Sequence, residues 1–306
     1  MTAKIGLVGL GLVGTAMAER LLVTRLSSPK SEQFDVVGFD IDSTKCEHLE
    51  QLGAKALGSP AKVAEQVERV VLSLPDTDVV LQVVEGPGGI LEAKSRGGSR
   101  TAPTYIIDTT TGDPEETTAL AQRLARRGIH FLDAPFSGSS RQVRDKEIVF
   151  MVGGDKKAFE ECEDIFDALG EKVFYVGESG SGSKAKLASN LILGLNRLTL
   201  AEGLVFASKL GLDPEAFLEL LKVTPAYSAA MDIKGKKMLD SDFTAQARLR
   251  QHHKDVSIIL KYAQKLKQEL PLSKVHLDVL EKAIAAGDGD LDNSAVIREI
   301  ERRIKP

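Results

Sequence analysis

Cysteine is scarce in this chain. Only Cys46 and Cys162 occur among 306 residues, and neither belongs to a CxxC pair. That excludes a disulfide framework and points to a reducing compartment. Positive charge is in short supply as well: 40 Lys and Arg stand against 44 Asp and Glu, a net charge of −4. The cations are scattered, with no basic stripe interleaved with aromatics, so no nucleic-acid partner is expected. The five histidines (His48, His130, His252, His253, His276) lack metal-ligand spacing, and no metal is expected. The neighbours His252 and His253 would point to different faces of a helix, as surface or packing residues. No segment reads as long enough to span a membrane, and the chain opens directly on a strand, leaving no room for a targeting peptide. The expectation is therefore a cytoplasmic protein with no membrane partner. Internal repeats and low-complexity segments are absent too.

What is present begins at once. The apolar run Lys4-Ile5-Gly6-Leu7-Val8 leads into Gly9-Leu10-Gly11-Leu12-Val13-Gly14 and then into an Ala- and Leu-rich helical stretch. A Gly-x-Gly-x-x-Gly turn between a strand and a helix is an anion-binding device. Gly9 permits the tight turn, Gly11 lets a diphosphate approach the backbone, and Gly14 lets helix and strand pack closely. The helix N-terminus adds free N–H groups and a positive dipole end. The strand before it and the helix after it give the motif the context that a dinucleotide site requires.

Apolar content of 42% and charged content of 27% are those of an ordinary globular enzyme, and the length suggests two domains. Strand patterns fall at residues 4–10, 35–40, 69–74, 105–109, 130–134, 148–152 and 173–175. Helical patterns fall at 15–26, 43–52, 60–66, 77–84, 114–127 and 156–169, and residues 26–34 read as a surface loop. This alternation predicts an α/β domain with a doubly wound, mostly parallel sheet over residues 1–180. From 181 to 306 the pattern is all-helical, starting with a long helix over 184–210 that should run along the nucleotide domain. Gly211-Leu212-Asp213-Pro214 reads as a helix stop, an N-cap and a proline at the first helical position.

The second strand ends in Asp40. A carboxylate there accepts hydrogen bonds from adenosine ribose hydroxyls and repels a 2′-phosphate. No arginine follows it closely, and Lys45 is the only nearby cation, so NAD is expected over NADP. Asp40 or Asp42 as a plain helix cap remains the bland alternative. On the long helix, Lys186 and Asn190 are spaced i, i+4 and share one face, with Leu187, Leu191, Leu195 and Leu198 marking the packing side. A lysine beside an amide suits proton transfer. A solvated helix lysine looks the same, and Lys184 competes from two positions away. Ser137-Gly138-Ser139 follows a strand and offers N–H groups and hydroxyls to a carboxylate, as would any Ser/Gly turn.

Several segments together resemble the β-hydroxyacid dehydrogenases, a family that includes 3-hydroxyisobutyrate dehydrogenase and the tartronate-semialdehyde and glyoxylate/succinic-semialdehyde reductases. They are the glycine motif, Ser73-Leu74-Pro75, Ile107 to Thr111, Phe131 to Gly138, Met151 to Asp155, Gly180 to Asn190, and Lys254-Asp255, spread over nearly the whole chain. The resemblance implies a Rossmann domain followed by an all-α domain. It further implies an NAD(P)-dependent oxidoreductase acting on a small hydroxy acid. Lys186 would be the general acid/base, Asn190 would orient the substrate, and Ser137, Gly138 and Ser139 would hold its carboxylate. Leu74, Pro75 and Thr111 would line the nicotinamide side, and Lys254 would reach the cofactor. Phe136, Ser189 and the bulkier, charged stretch Ser139-Ser140-Arg141-Gln142-Val143-Arg144-Asp145-Lys146 depart from the family pattern, and Arg141 either binds a further anionic group or faces solvent. The apolar face of the long helix suggests a homo-oligomer, a dimer or tetramer. Two rivals stand beside this reading: an NADPH-dependent semialdehyde or imine reductase of the same architecture, and a nucleotide-sensing module without turnover.

Overall fold

The computed structural model describes residues 3–27, 34–93 and 103–303. The chain forms two compact units, Met1–Lys186 and Leu187–Pro306. Among the described residues of the first unit, nine strands make one sheet. They are β1 (Ala3–Val8), β2 (Phe34–Phe39), β3 (Lys55–Ala56), β4 (Arg69–Leu72), β5 (Tyr105–Asp108), β6 (His130–Asp133), β7 (Phe136–Ser137), β8 (Ile148–Gly153) and β9 (Gly170–Gly177). The order β3-β2-β1-β4-β5-β6 is parallel throughout. β8 then pairs antiparallel with β6 and β7 and parallel with β9. The order reverses between β1 and β4. Ligands of such sheets bind beyond the carboxyl ends of the strands at that switch point.

Among the described residues, eight α-helices accompany this sheet: α1 (Leu12–Ser27), α2 (Ser43–Gln51), α3 (Pro60–Ala64), α4 (Thr77–Glu85), α5 (Pro114–Ala125), α6 (Ser140–Arg144), α7 (Lys156–Glu160) and α8 (Glu163–Leu169). Alternate strand residues face opposite sides, so each strand feeds two apolar layers. Ile5, Leu7, Val71, Ile107 and Leu132 join Met17 and Leu21 of α1 and Phe166 of α8. Val8, Val70, Leu72, Ile106 and Phe131 join Val63 of α3, Val84 of α4 and Leu120 of α5. Burial on both faces explains why these strands read as continuous apolar runs. Each fully buried side chain of this kind contributes about 1.5–3 kcal/mol.

The expected strands are all present, with ends shifted by up to three residues. β1 stops at Val8 because Gly9 turns away with φ +91° while donating its N–H to Phe39 O. The two-residue strands β3 and β7 are too short to show any periodicity. The helix expected over 156–169 breaks at Glu161–Cys162, where Cys162 turns into the core and burial pushes its thiol up to about 12. Residues 28–33 of the expected loop lie outside the described residues, and its first two residues, Leu26 and Ser27, close α1.

In the second unit the regular elements among the described residues are helices, with one isolated antiparallel bridge between Arg248 and Asp292. α9 (Ser181–Lys209) leads into it and is followed by α10 (Pro214–Lys222), a π-helical turn (Met231–Gly235), α11 (Lys236–Leu239), α12 (Leu249–Lys265), α13 (Pro271–Ala285) and α14 (Val296–Arg302). Gly211 has φ +85°, Asp213 caps α10 by accepting the Ala216 N–H, and Pro214 opens that helix, as the sequence predicts. Two expectations about α9 need correction. By length and composition, its 29 residues suffice to cross a membrane, although the core helix of a globular protein passes the same test. Its packing side is also not a leucine seam. Lys186, Asn190, Gly194 and Arg197 are buried alongside Leu187 and Leu198, whereas Leu191 and Leu195 are only half-buried.

Candidate active site

The turn after β1 is shaped by what its glycines lack. A Cβ on Gly14 would collide with Gly9 O, and one on Gly9 would collide with Ser73 O. A Cβ on Gly11 would meet nothing within 4 Å, so its backbone is open to an approaching group. α1 starts at Leu12, and the N–H groups of Leu12, Val13 and Gly14 belong to its first turn, which has no intrahelical partners. At the end of β2, Asp40 Oδ2 accepts the Leu10 N–H at 2.7 Å and Oδ1 accepts the Asp42 N–H at 2.9 Å. Lys45 Nζ lies 3.5 Å from the same carboxylate. Asp42, not Asp40, caps α2, accepting the Thr44 N–H at 3.0 Å. That leaves Asp40 tied to the glycine turn. An open backbone, free helix N–H groups and an oriented carboxylate fit the diphosphate and ribose of a dinucleotide.

The carboxyl ends of β4 and β5 meet beside this turn. The Leu74 N–H donates to Thr110 Oγ1 at 3.2 Å, and Thr109 donates both N–H and hydroxyl to Leu72 O. Leu74, Pro75 and Thr111 thus belong to one pair of joined loops.

From β6 the chain passes Ala134 and Pro135 into β7. Phe136 is buried, its ring edge-on to Phe150 at 5.7 Å. Its carbonyl accepts Lys186 Nζ at 2.5 Å, so the buried amine sits one peptide bond from Ser137. Lys184 is exposed, as its offset implies. Gly138, at φ +150°, is exposed, whereas Ser139 is buried and N-caps α6. The Ser139 N–H donates to Gln142 Oε1 at 3.0 Å, and Ser139 Oγ accepts the Gln142 N–H at 3.4 Å. The sequence reading overlooked this capping box, though Ser-x-x-Gln is its signature. Arg141 is largely exposed, 3.6 Å from Asp145.

Asp133 lies inside the Phe131–Gly138 segment, but the sequence assigns it no role because its partners are far along the chain. It is fully buried, and its two oxygens accept the N–H groups of Gly180 (2.9 Å) and Ser183 (2.8 Å). Burial pushes its carboxyl up, and these hydrogen bonds pull it only part of the way back.

In the second unit, Asn190 donates from Nδ2 to Asp255 Oδ2 at 2.9 Å. Lys254 Nζ lies 3.2 Å from Asp255 Oδ1. Beyond them is a polar interior. Burial pulls the Arg197 guanidinium down to about 10 against the attraction of Asp292 and Asp255. Burial, and then the Arg197 charge, pull His276 down to about 4. Lys234 Nζ binds both oxygens of Asp292, at 2.7 and 3.0 Å. Asp292 also accepts the N–H groups of Gln246 and Ser294, and these partners outweigh burial to keep it ionised. The His252 and His276 rings lie 5.1 Å apart, tilted by 45°, against Gly194, where no Cβ would fit.

Comparison with known proteins gives the family. Residues 4–177 match the family model described as the NAD binding domain of 6-phosphogluconate dehydrogenase. Residues 180–300 match the one described as the NAD-binding of NADP-dependent 3-hydroxyisobutyrate dehydrogenase. The chain is 33% identical over 296 residues to 2-(hydroxymethyl)glutarate dehydrogenase of Eubacterium barkeri, covering 96% of this chain and 94% of that one. It is 31% identical to glyoxylate/succinic semialdehyde reductase 1 of Arabidopsis thaliana, covering 97% and 98%. In fold it is similar to 3-hydroxyisobutyrate dehydrogenase from Salmonella typhimurium, with a TM-score of 0.83 at 24% identity over 97% and 99% of the two chains. With the glycine turn, the oriented acid and the buried lysine on one framework, the chain belongs to the β-hydroxyacid dehydrogenase family, NAD(P)-dependent oxidoreductases that act on hydroxy acids.

Proposed function

We propose that this enzyme oxidises a small β-hydroxy acid, of the 3-hydroxyisobutyrate or semialdehyde-acid type, with NAD in preference to NADP, and that Lys186 carries the proton. In this reading residues 1–180 bind the cofactor and residues 181–306 form the substrate and oligomerisation domain. The observation that carries the reading is the buried Lys186 amine on the Phe136 carbonyl, beside Ser137. When bound, the nicotinamide supplies or accepts the hydride at the carbinol carbon. Lys186 takes the hydroxyl proton as a neutral amine and returns it as an ammonium in the reverse direction. Asn190, one helical turn on, donates one Nδ2 hydrogen to Asp255, and in this reading its second Nδ2 hydrogen orients the reacting oxygen. Ser137 and Gly138 supply the main groups for the substrate carboxylate, since the Ser139 N–H is engaged by Gln142. Gly9 to Gly14 hold the diphosphate, and Asp40 holds the adenosine ribose. Leu74, Pro75 and Thr111 line the nicotinamide side, and Lys254 serves the cofactor.

NAD is supported by two acids, Asp40 and Asp42, where a 2′-phosphate would need cations; Lys45 is close to them among the described residues, and it already pairs with both. A homo-oligomer is supported by Ile192 and Phe206, about two-thirds exposed on one face of α9, and the cytoplasm by the scarcity of cysteine.

The test is a panel of hydroxy acids and semialdehyde acids, each run with NAD and NADP, on the wild type and on Lys186→Ala. The variant is expected to lose about 10²–10⁴-fold in kcat, the usual contribution of a general acid/base, with NAD affinity unchanged. Wild-type turnover in Lys186→Ala removes the proton carrier. A preference for NADP removes the cofactor assignment alone. Nucleotide binding with no turnover on any substrate favours a sensor.

A further inference from the structure

α9 enters the first unit with its opening turn pinned by a carboxylate from a neighbouring strand. Asp133 ends β6, fully buried, and its two oxygens accept the Gly180 and Ser183 N–H groups at 2.9 and 2.8 Å. The first N–H groups of a helix have no partner within it, and negative charge is favoured there. Close-packed backbone makes the seat. A Cβ on Gly153 of β8 would lie 2.6 Å from Asp133 Oδ1, and one on Gly182 would lie 3.0 Å from Oδ2. Among the described residues its partners are backbone amides and the Ser183 hydroxyl rather than a cation. A buried carboxylate is costly to keep for stability alone.

Three residues after Asp133, the Phe136 carbonyl accepts Lys186 Nζ at 2.5 Å. The short segment from Asp133 to Phe136 therefore grips α9 twice, by a side chain at the opening turn and by a carbonyl one turn later. Movement at the first grip displaces the second. We infer that Asp133 is a positioning residue: by fixing the opening turn of α9 on β6, it sets the Lys186 amine on the Phe136 carbonyl. This rests on the reading of Lys186 as the proton carrier. It assigns Asp133 no contact with substrate or cofactor.

Asp133→Asn tests it in the full-length protein. The amide keeps the size and one acceptor oxygen, but sets a donor against one of the two helix N–H groups. We expect unchanged NAD affinity, little change in KM, and kcat lower by about 100-fold, the scale of a misplacement on the order of 1 Å. We also expect Lys186 to react several-fold faster with an amine-acylating reagent, read by peptide mapping with the exposed Lys184 as internal reference. Both changes are required. Wild-type kcat, or wild-type labelling of Lys186, in the folded variant overturns the inference. Should the variant not fold, amide hydrogen exchange on the wild-type protein decides. Protection of Gly180 and Ser183 equal to mid-helix amides supports the clamp, and exchange at the rate of an open loop overturns it. Lys186→Ala separates the two ideas. Retained turnover there sinks the proton-carrier reading while the labelling still reports placement. A dead Lys186→Ala beside a wild-type-like Asp133→Asn sinks only the clamp.

Discussion

The two units of this protein are stabilised in different ways. The first holds two apolar layers on either side of a sheet, and its polar groups gather at strand ends and helix caps. The second has a smaller apolar cluster threaded by buried polar and charged groups: Arg197, Lys234, Asp292, the neutral His276 and the Asn190–Asp255 pair. Apolar layers tolerate many sequences of the right pattern, so the first unit has a large margin for change away from its glycine turn. Buried charges need specific partners, and losing one leaves the other stranded in a medium that cannot solvate it. The helical unit gives up that tolerance in exchange for polar groups held in set orientations, Asn190 among them.

The sharpest break of this contrast is Asp292→Ala. It strands the buried Lys234 ammonium and should cost about 3–5 kcal/mol, the usual penalty for removing one partner of a buried pair. Urea denaturation monitored by circular dichroism measures it, and a loss below 1 kcal/mol would mean that the pair is already solvated.

Acid should find the same unit next. His276 sits at about 4 when folded against 6.5 ordinarily, held down by burial and then by Arg197. Between those values the unfolded chain binds a proton that the folded chain refuses. This contribution to stability is complete above pH 6.5 and is lost as pH falls toward 4, by about 3 kcal/mol in all. Unfolding curves at pH 7 and 4.5 read the loss, and His276→Gln should flatten it. If the variant keeps the same acid sensitivity, another group is responsible.

The smallest effect belongs to the first unit's surface. Arg123 and Glu85 form a two-pronged pair at 2.8 Å between α5 and α4, both partly exposed. Arg123→Ala should cost under about 1 kcal/mol and less at high salt. A cost as large as that of Asp292→Ala would erase the contrast between the units.

The same contrast governs how far the fold and site can be read from the sequence. Strand periodicity and the glycine turn are local signals, so β1, β2, β4, β5 and β6 are legible to within two residues. So is Asp213-Pro214 at the start of α10, where cap and proline act on their own helix. The break at Cys162 is not legible, because a helical pattern on both sides hides a turn imposed by the core. The Ser139–Gln142 capping box was legible and overlooked; it leaves Ser137 and Gly138 with the freer backbone N–H groups. Asp133 and Asp255 lie inside segments that carry the resemblance, but their bonds to Gly180, Ser183 and Asn190 join groups 47 to 65 residues apart, which no local pattern marks.

Sequence alone settled the parallel strand–helix alternation, the diphosphate turn and the helix carrying Lys186 and Asn190, because those depend on spacing along a single element. Only the tertiary structure decided which carboxylate caps and which is tied to the glycine turn, that Lys186 rests on the Phe136 carbonyl, and that charges fill the helical unit. These are contacts between distant segments. A buried hydrogen bond takes its energy from the surroundings that exclude water, and no local stretch of chain encodes them.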